Sequence, residues 1–265
     1  MSRIAHLSDF HLVEPDHAAR RGTDWWRLHY LSFKRPIDAA GRVARAERAL
    51  AQAHASGADH LVLTGDLTED ARPSQFELLA ELLSASGFAP EQVTLVPGNH
   101  DAYGDGAWDR ALDGSLAPWA PTSRGLIDLA EAVIVPVSTA VEQAWTRSSG
   151  FLDFDALPDL ARLIDHAADR AIILALHHPP FRVFHHWIHG LANHLDLQAF
   201  LGANPSLHCL HGHIHKAVDR RVGDGDARVF SVEAVAESAD PLRVYTAGGG
   251  RVVPAAIRAA HPSSS

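Results

Sequence analysis

A single cysteine, Cys209, stands among 265 residues, so no internal disulfide framework holds this chain and a reducing compartment is expected. No apolar run reaches the roughly 18 residues that a membrane span requires. Basic residues are also scarce: 23 Lys and Arg against 32 Asp and Glu leave a formal net charge of −9. Nucleic-acid backbones are gripped by clustered Lys and Arg, so nucleic acid is disfavoured as a partner. A small anionic substrate stays open, because a metal site is locally positive even on an acidic protein. The opening residues Met1 to His6 meet Asp9 and His11 too early for a secretory signal, and the cytoplasm is the expected location. What the chain has in excess is histidine, with 19 copies, which raises the expectation of a transition-metal site without locating one.

The length lies near the upper limit for one core, and no internal repeat divides it. A single domain is expected over 1–260, with a disordered serine tail at 261–265. Short apolar runs at 4–7, 60–64, 92–96, 132–137, 171–176 and 207–210 read as strands. They alternate with helical patterns at 43–55, 74–84 and 160–168. Beyond His215, strand-like stretches at 217–222, 228–232, 242–246 and 251–253 are cut by turns such as Gly223-Asp224-Gly225 and Gly248-Gly249-Gly250. These predict hairpins closing a second sheet. The fold class that follows is α/β, a four-layer α/β/β/α sandwich of two packed mixed sheets flanked by helices.

Two segments break the alternation. Residues 12–40 hold Trp25, Trp26, His29, Tyr30 and Phe33 among basic side chains, and 181–194 carry His185, His186, Trp187, His189 and His194. Both are expected as lids over a site.

Five short motifs each follow an expected strand: Asp9-Phe10-His11, Gly65-Asp66, Gly98-Asn99-His100-Asp101, His177-His178-Pro179 and Gly212-His213-Ile214-His215. In open α/β sheets ligands collect outside the carboxyl ends of strands, so the motifs converge on one crevice. Residues two apart on an extended segment point the same way, which lets Asp9 with His11, and His213 with His215, serve one cluster. Glycines at 65, 98 and 212 permit the sharp turns that present the next residue. Each motif alone is common. Their joint order is far more specific.

In that order the motifs resemble the calcineurin-like metallophosphoesterase superfamily, over roughly residues 3 to 216. The paired His177-His178 before Pro179-Pro180 is most similar to its bacterial cyclic-nucleotide and glycerophosphodiester phosphodiesterases. The resemblance implies two metal ions bridged by Asp66 and a hydroxide that attacks a phosphodiester. Asp9, His11 and His215 would complete one metal and Asn99, His177 and His213 the other, with His100 as a catalytic imidazole outside both sets. Such oxygen and nitrogen ligands suit Mn, Fe or Zn and leave the identity open. Asp101 is expected to orient His100 through a hydrogen bond.

His178 is either a partner orienting its neighbour or a packed histidine. Trp25 and Trp26 are substrate candidates for stacking on a base, against the commoner role of anchoring a loop. Arg20, Arg21, Arg27, Lys34 and Arg35 are either phosphate contacts or, the favoured reading, a solvated face. A small phosphate ester is the expected partner. Aromatic and basic residues at 20–35 leave a membrane-surface contact open without favouring it, and a homo-oligomer is equally open. A phosphomonoesterase or nucleotidase, a lipid-linked pyrophosphatase and a non-catalytic binding module are the rival functions.

Overall fold

The computed structural model describes residues 1–223 and 225–256. Asp224 and the serine tail at 261–265 lie outside the described residues. The first sheet runs in the order β11-β10-β1-β2-β3, where β1 is Ser2–Leu7, β2 His60–Thr64, β3 Val93–Val96, β10 Arg243–Gly248 and β11 Arg251–Ala255. Strands β1, β2 and β3 are parallel, and β10 and β11 add antiparallel at one edge. The second sheet runs β4-β5-β6-β7-β9-β8, with β4 Ile127–Asp128, β5 Ala132–Pro136, β6 Ala171–Ala175, β7 Leu207–His211, β8 Val218–Arg221 and β9 Arg228–Ser231. Its four central strands are parallel and its two edges antiparallel.

The period-2 alternation of strand side chains sets the layers. From β2, Val62 points between the sheets, where it joins Ile4, Ile134, Ile173, Leu210 and Phe230. Its neighbours Leu61 and Leu63 point outward onto α2 (Ala39–Ala55) and α3 (Pro73–Ser84), against Ala46, Leu50, Leu79 and Leu83. On the second sheet Ile172 and Leu174 face outward to Leu163 of α6 (Leu160–Ala167) and Leu197 and Leu201 of α8 (His194–Ala203). The result is the expected four-layer α/β/β/α sandwich. Among the described residues no helix is long and apolar enough to cross a membrane.

Three differences from the sequence reading have physical causes. Helix α2 begins at Ala39, because Asp38 accepts a hydrogen bond from Gly41 N and caps it. The hairpins after His215 do not close one sheet: β8 and β9 finish the second sheet, while β10 crosses to pair with β1 in the first. Segment 12–40, expected as a lid with a solvated basic face, contains helix α1 (Gly22–Leu31) and is tied down by buried ion pairs. Arg20, only 6% exposed, forks onto Glu14 and Asp70, with Nε to Glu14 Oε1 at 2.5 Å and Nη1 to Asp70 Oδ2 at 2.9 Å. Arg35 donates to Glu69 at 2.8 Å. The expectation of a solvated basic face fails for both.

Candidate metal centre

The five motifs leave the carboxyl ends of β1, β2, β3, β6 and β7, so the site draws on both sheets. Asp9, His11, Asp66, Asn99 and His177 are buried, and His213 and His215 are half-buried. The backbone there is unusual. Asp9 (φ 57°), His11 (48°), Asp66 (50°), His213 (71°) and His215 (52°) all occupy the left-handed region. For residues with a Cβ this costs on the order of 1–3 kcal/mol each, and such strain gathers where a site demands a fixed direction. The turns are braced from below: Asp9 N donates to Gly65 O at 3.0 Å, His11 N to Asp66 O at 2.9 Å, and His213 N to Asp9 Oδ2 at 3.1 Å.

The side-chain atoms converge. His215 Nε2 stands 3.2 Å from Asp9 Oδ1 and 3.3 Å from His11 Nε2. On the other side His177 Nε2 stands 3.3 Å from Asp66 Oδ2 and 3.1 Å from His213 Nδ1. Asp66 Oδ2 also lies 3.9 Å from His11 Nε2, which puts one carboxylate between the two groups. Ion–ligand bonds of about 2.0–2.2 Å place adjacent ligand atoms about 2.8–3.6 Å apart, the spacing of the pairs just given at 3.1–3.3 Å, while Asp9 Oδ1 and His11 Nε2 are 4.0 Å apart. Asn99 adds a second sign of fit. Its Nδ2 donates to Tyr103 Oη at 2.9 Å, while its buried Oδ1 has no hydrogen-bond partner. A cation would satisfy such an acceptor.

The electrostatics point the same way. Burial opposes ionisation of Asp9 and Asp66, yet neighbouring His215 and His177 hold both carboxyls well below their usual range. Burial likewise opposes charge on His177 and His215, but the carboxylates outweigh it. Asp66 and Asp9 push His177 up to about 9, and Asp9 with Glu237 pushes His215 up to about 10. In a metal-free cluster, protons on imidazoles neutralise what a cation would otherwise neutralise.

His100 is near both groups, with Nε2 at 4.0 Å from Asp66 Oδ2, and its Nδ1 donates to Glu69 O at 2.6 Å. The expected bond from Asp101 to this ring is not formed. Asp101 instead accepts from Leu67 N, Thr68 N, Thr68 Oγ1 and Gly98 N at 2.8–3.1 Å, locking the turns after β2 and β3 together. His178 is fully buried and both its nitrogens are occupied, Nδ1 by Thr139 Oγ1 at 2.8 Å and Nε2 by Ser148 O at 3.1 Å. It packs behind His177 and His213, although it lies close enough to group with them.

Trp25 and Trp26 do not reach the site. Trp25 stacks on His29 at 3.7 Å and Trp26 meets Trp25 edge to face, and neither lines the cavity over the cluster. That cavity, about 490 Å³, is walled by Arg35, by Phe181 to Phe184 and by His189. Segment 181–194 therefore does border the site, and it also orients a candidate ligand, since His213 Nε2 donates to His189 O at 2.6 Å.

Two residues were not singled out from the sequence. Glu237 accepts from His215 Nδ1 at 3.0 Å, and it lies 22 residues away with no motif around it. Glu69, fully buried, gathers Ser32, Arg35 and Arg42 and stands 3.4 Å from His11 Nδ1. Its place three residues after Asp66 is the only signal that was available.

Comparison with known proteins places these observations in a family. The model of the calcineurin-like phosphoesterase family matches residues 2–217. A 3',5'-cyclic adenosine monophosphate phosphodiesterase of Pseudomonas aeruginosa is 30% identical over 223 residues, covering 83% of this chain and 72% of that protein. A 3',5'-cyclic-nucleotide phosphodiesterase of a Nostoc species is 29% identical over 167 residues, 62% of this chain and 58% of that one. Among solved structures, a dimetal phosphatase from Danio rerio superposes with a TM-score of 0.67 at 13% identity, covering 97% of this chain and 99% of the other. That likeness is one of fold.

Proposed function

The chain belongs to the calcineurin-like phosphoesterase family and is a metal-dependent phosphoester hydrolase, and from that premise we propose that it hydrolyses a small phosphodiester at a dinuclear centre. The observation that carries this reading is Asp66, whose Oδ2 lies between an Asp9–His11–His215 group and a His177–His213 group. Asp66 would be shared by two ions. Asp9, His11 and His215 would hold one, and Asn99, His177 and His213 the other. Two such ions lower the pKa of a water between them and offset the charge of a phosphate. The preference for a diester, with a cyclic nucleotide first, rests on the named activities of the two curated relatives.

The chain's own residues supply the rest. Glu69 O accepts from His100 Nδ1 and so leaves Nε2 facing the cluster. A protonated His100 then keeps one N–H on Glu69 and presents the other to a phosphate or leaving-group oxygen. Glu237 and the carbonyls of Thr64 and His189 orient His215, His177 and His213. Because ligands come from both sheets, the same reading makes 1–260 one functional unit.

The test is hydrolysis of bis(p-nitrophenyl) phosphate beside p-nitrophenyl phosphate by chelator-stripped protein reconstituted with Mn²⁺. The expected result is a metal-dependent preference for the diester. A preference for the monoester would replace this reading with a phosphomonoesterase.

A further inference from the structure

Beside the cavity over the cluster lies a second one of about 540 Å³, and the two share His100, Ser148 and His189 as a common wall. Its other sides are largely rings: Tyr30 and Phe33 at the end of α1 and just beyond it, Tyr103 after the β3 motif, and Trp145 in the loop after β5. Tyr30 meets Trp145 edge to face at 4.8 Å, and Tyr103 stands 5.2 Å from the His100 ring. Tyr103 is a fixed wall. Its hydroxyl donates to Arg147 O at 2.8 Å and accepts from Asn99, and its carbonyl accepts from Arg27. Tyr30 and Phe33 are 52% and 72% exposed, so they are rim groups that stabilise no core.

We propose that this ring-lined pocket receives a planar aromatic substituent of the ester, a nucleobase, while the phosphate lies over the metal cluster. The proposal rests on the phosphodiesterase reading and names its substrate class. Rings on several sides of one cavity favour a flat π-system, which gains from stacking and edge-to-face contact. The size admits a nucleoside, since pockets of roughly 300–1,000 Å³ hold ligands of that order. The shared wall is His100, so a base in the pocket brings its phosphate within reach of the imidazole at the cluster. The base-stacking role for which Trp25 and Trp26 were candidates thus passes to Trp145, Tyr30 and Phe33.

The experiment compares calorimetric binding of AMP and of ribose 5-phosphate to the Mn²⁺-loaded protein, which needs no turnover. Wild type should bind AMP about 10-fold or more tighter than ribose 5-phosphate, in line with base–aromatic stacking elsewhere. Trp145→Ala should erase that gap while leaving ribose 5-phosphate affinity unchanged, and the exposed Phe33→Ala should narrow it. Trp26→Ala should leave it intact. Equal affinities in wild type, no binding of either, or a gap that survives both Trp145→Ala and Phe33→Ala would overturn the proposal. Dodecyl phosphate binding more tightly than AMP would also overturn it, assigning the pocket to an acyl chain. An AMP preference in a protein that turns over no diester would sink the hydrolytic reading alone. Diester turnover without the AMP gap would sink the pocket alone.

Discussion

Four of the five imidazoles at the cluster are aimed by the nitrogen that faces away from it, whereas His11 Nδ1 only stands 3.4 Å from Glu69 Oε2. His177 Nδ1 is bonded to Thr64 O at 2.7 Å, His100 Nδ1 to Glu69 O, His213 Nε2 to His189 O, and His215 Nδ1 to the Glu237 carboxylate. A carbonyl partner fixes which nitrogen carries hydrogen, and a carboxylate partner also raises the basicity of the ring. The set is mixed, with His213 presenting Nδ1 and the others Nε2. His100 differs in that its Nε2 stands 4.0 Å from Asp66 Oδ2, against the 3.1–3.3 Å contacts that join His11, His177, His213 and His215 to their groups, which suits an acid more than a ligand. His100→Ala is therefore expected to keep two equivalents of metal and to lose about 10²-fold or more in kcat on a diester. Metal analysis of the purified variant beside its kinetics checks this, and loss of metal would make His100 a ligand. The residues that face the cluster were legible in the sequence, because a polar side chain directly after a strand, beside a glycine in three of the five motifs, has few other reasons to recur five times. Glu237 and Glu69 were not, since they act through other side chains and nothing about their spacing marks them. Asp101 does not orient His100: adjacency in sequence does not bring the two side chains together, and of its four donors three lie on the turn after β2 and one, Gly98 N, on its own turn.

At the level of elements, the site exists because tight turns at the ends of parallel strands press against one another. Gly98 shows how closely. A Cβ built there would sit 2.2 Å from Asp66 Oδ1 and 2.3 Å from Asp66 N, a backbone atom that has no room to move. Gly98→Ala is expected to displace Asp66, to destabilise the fold by about 1–3 kcal/mol as overpacking usually does, and to abolish tight binding of the metal pair. Thermal melts with and without Mn²⁺ separate the effects: the metal-induced rise in Tm should vanish, whereas a variant that keeps it would show that the turn yields. Strands and the flanking helices α2, α3 and α6 were readable from their periodicity, because their apolar faces are long and regular. Short helices such as α4 (Ala107–Asp113) and α7 (His186–His189) were not, since four to seven residues do not establish a period. Nor was the crossing of β10 to the first sheet, because hairpin patterns mark neighbouring strands in sequence and carry no information about which sheet edge is free.

Across the whole molecule, the charge balance couples protons to metal. The net charge of −9 and a cluster with Asp9 and Asp66 at its centre both favour cations, and in their absence His177 and His215 take up protons. Their folded pKa values, about 9 and about 10, stand above the ordinary imidazole value of 6.5, so the metal-free protein holds both protons up to that range. That stabilisation of the metal-free fold is fully present below pH 6.5 and is lost as pH rises through 9 and 10. Metal binding runs against the same protons. Between pH 6.5 and 8.5 each ion that takes His177 or His215 as a ligand must displace one, so affinity should rise with pH by about 10-fold per unit for each proton released. Titrating Mn²⁺ into metal-free protein by calorimetry at pH 6.5 and 7.5, in two buffers of different ionisation heat, counts those protons directly. A release near two for the filled pair, with affinity climbing over that interval, is the expected result. Affinity independent of pH, with no buffer-dependent heat, would mean that the imidazoles are neutral before metal arrives. The cluster would then carry its negative charge unbalanced, and the distances of 3.2 and 3.3 Å between His215 and Asp9 and between His177 and Asp66 would need another explanation.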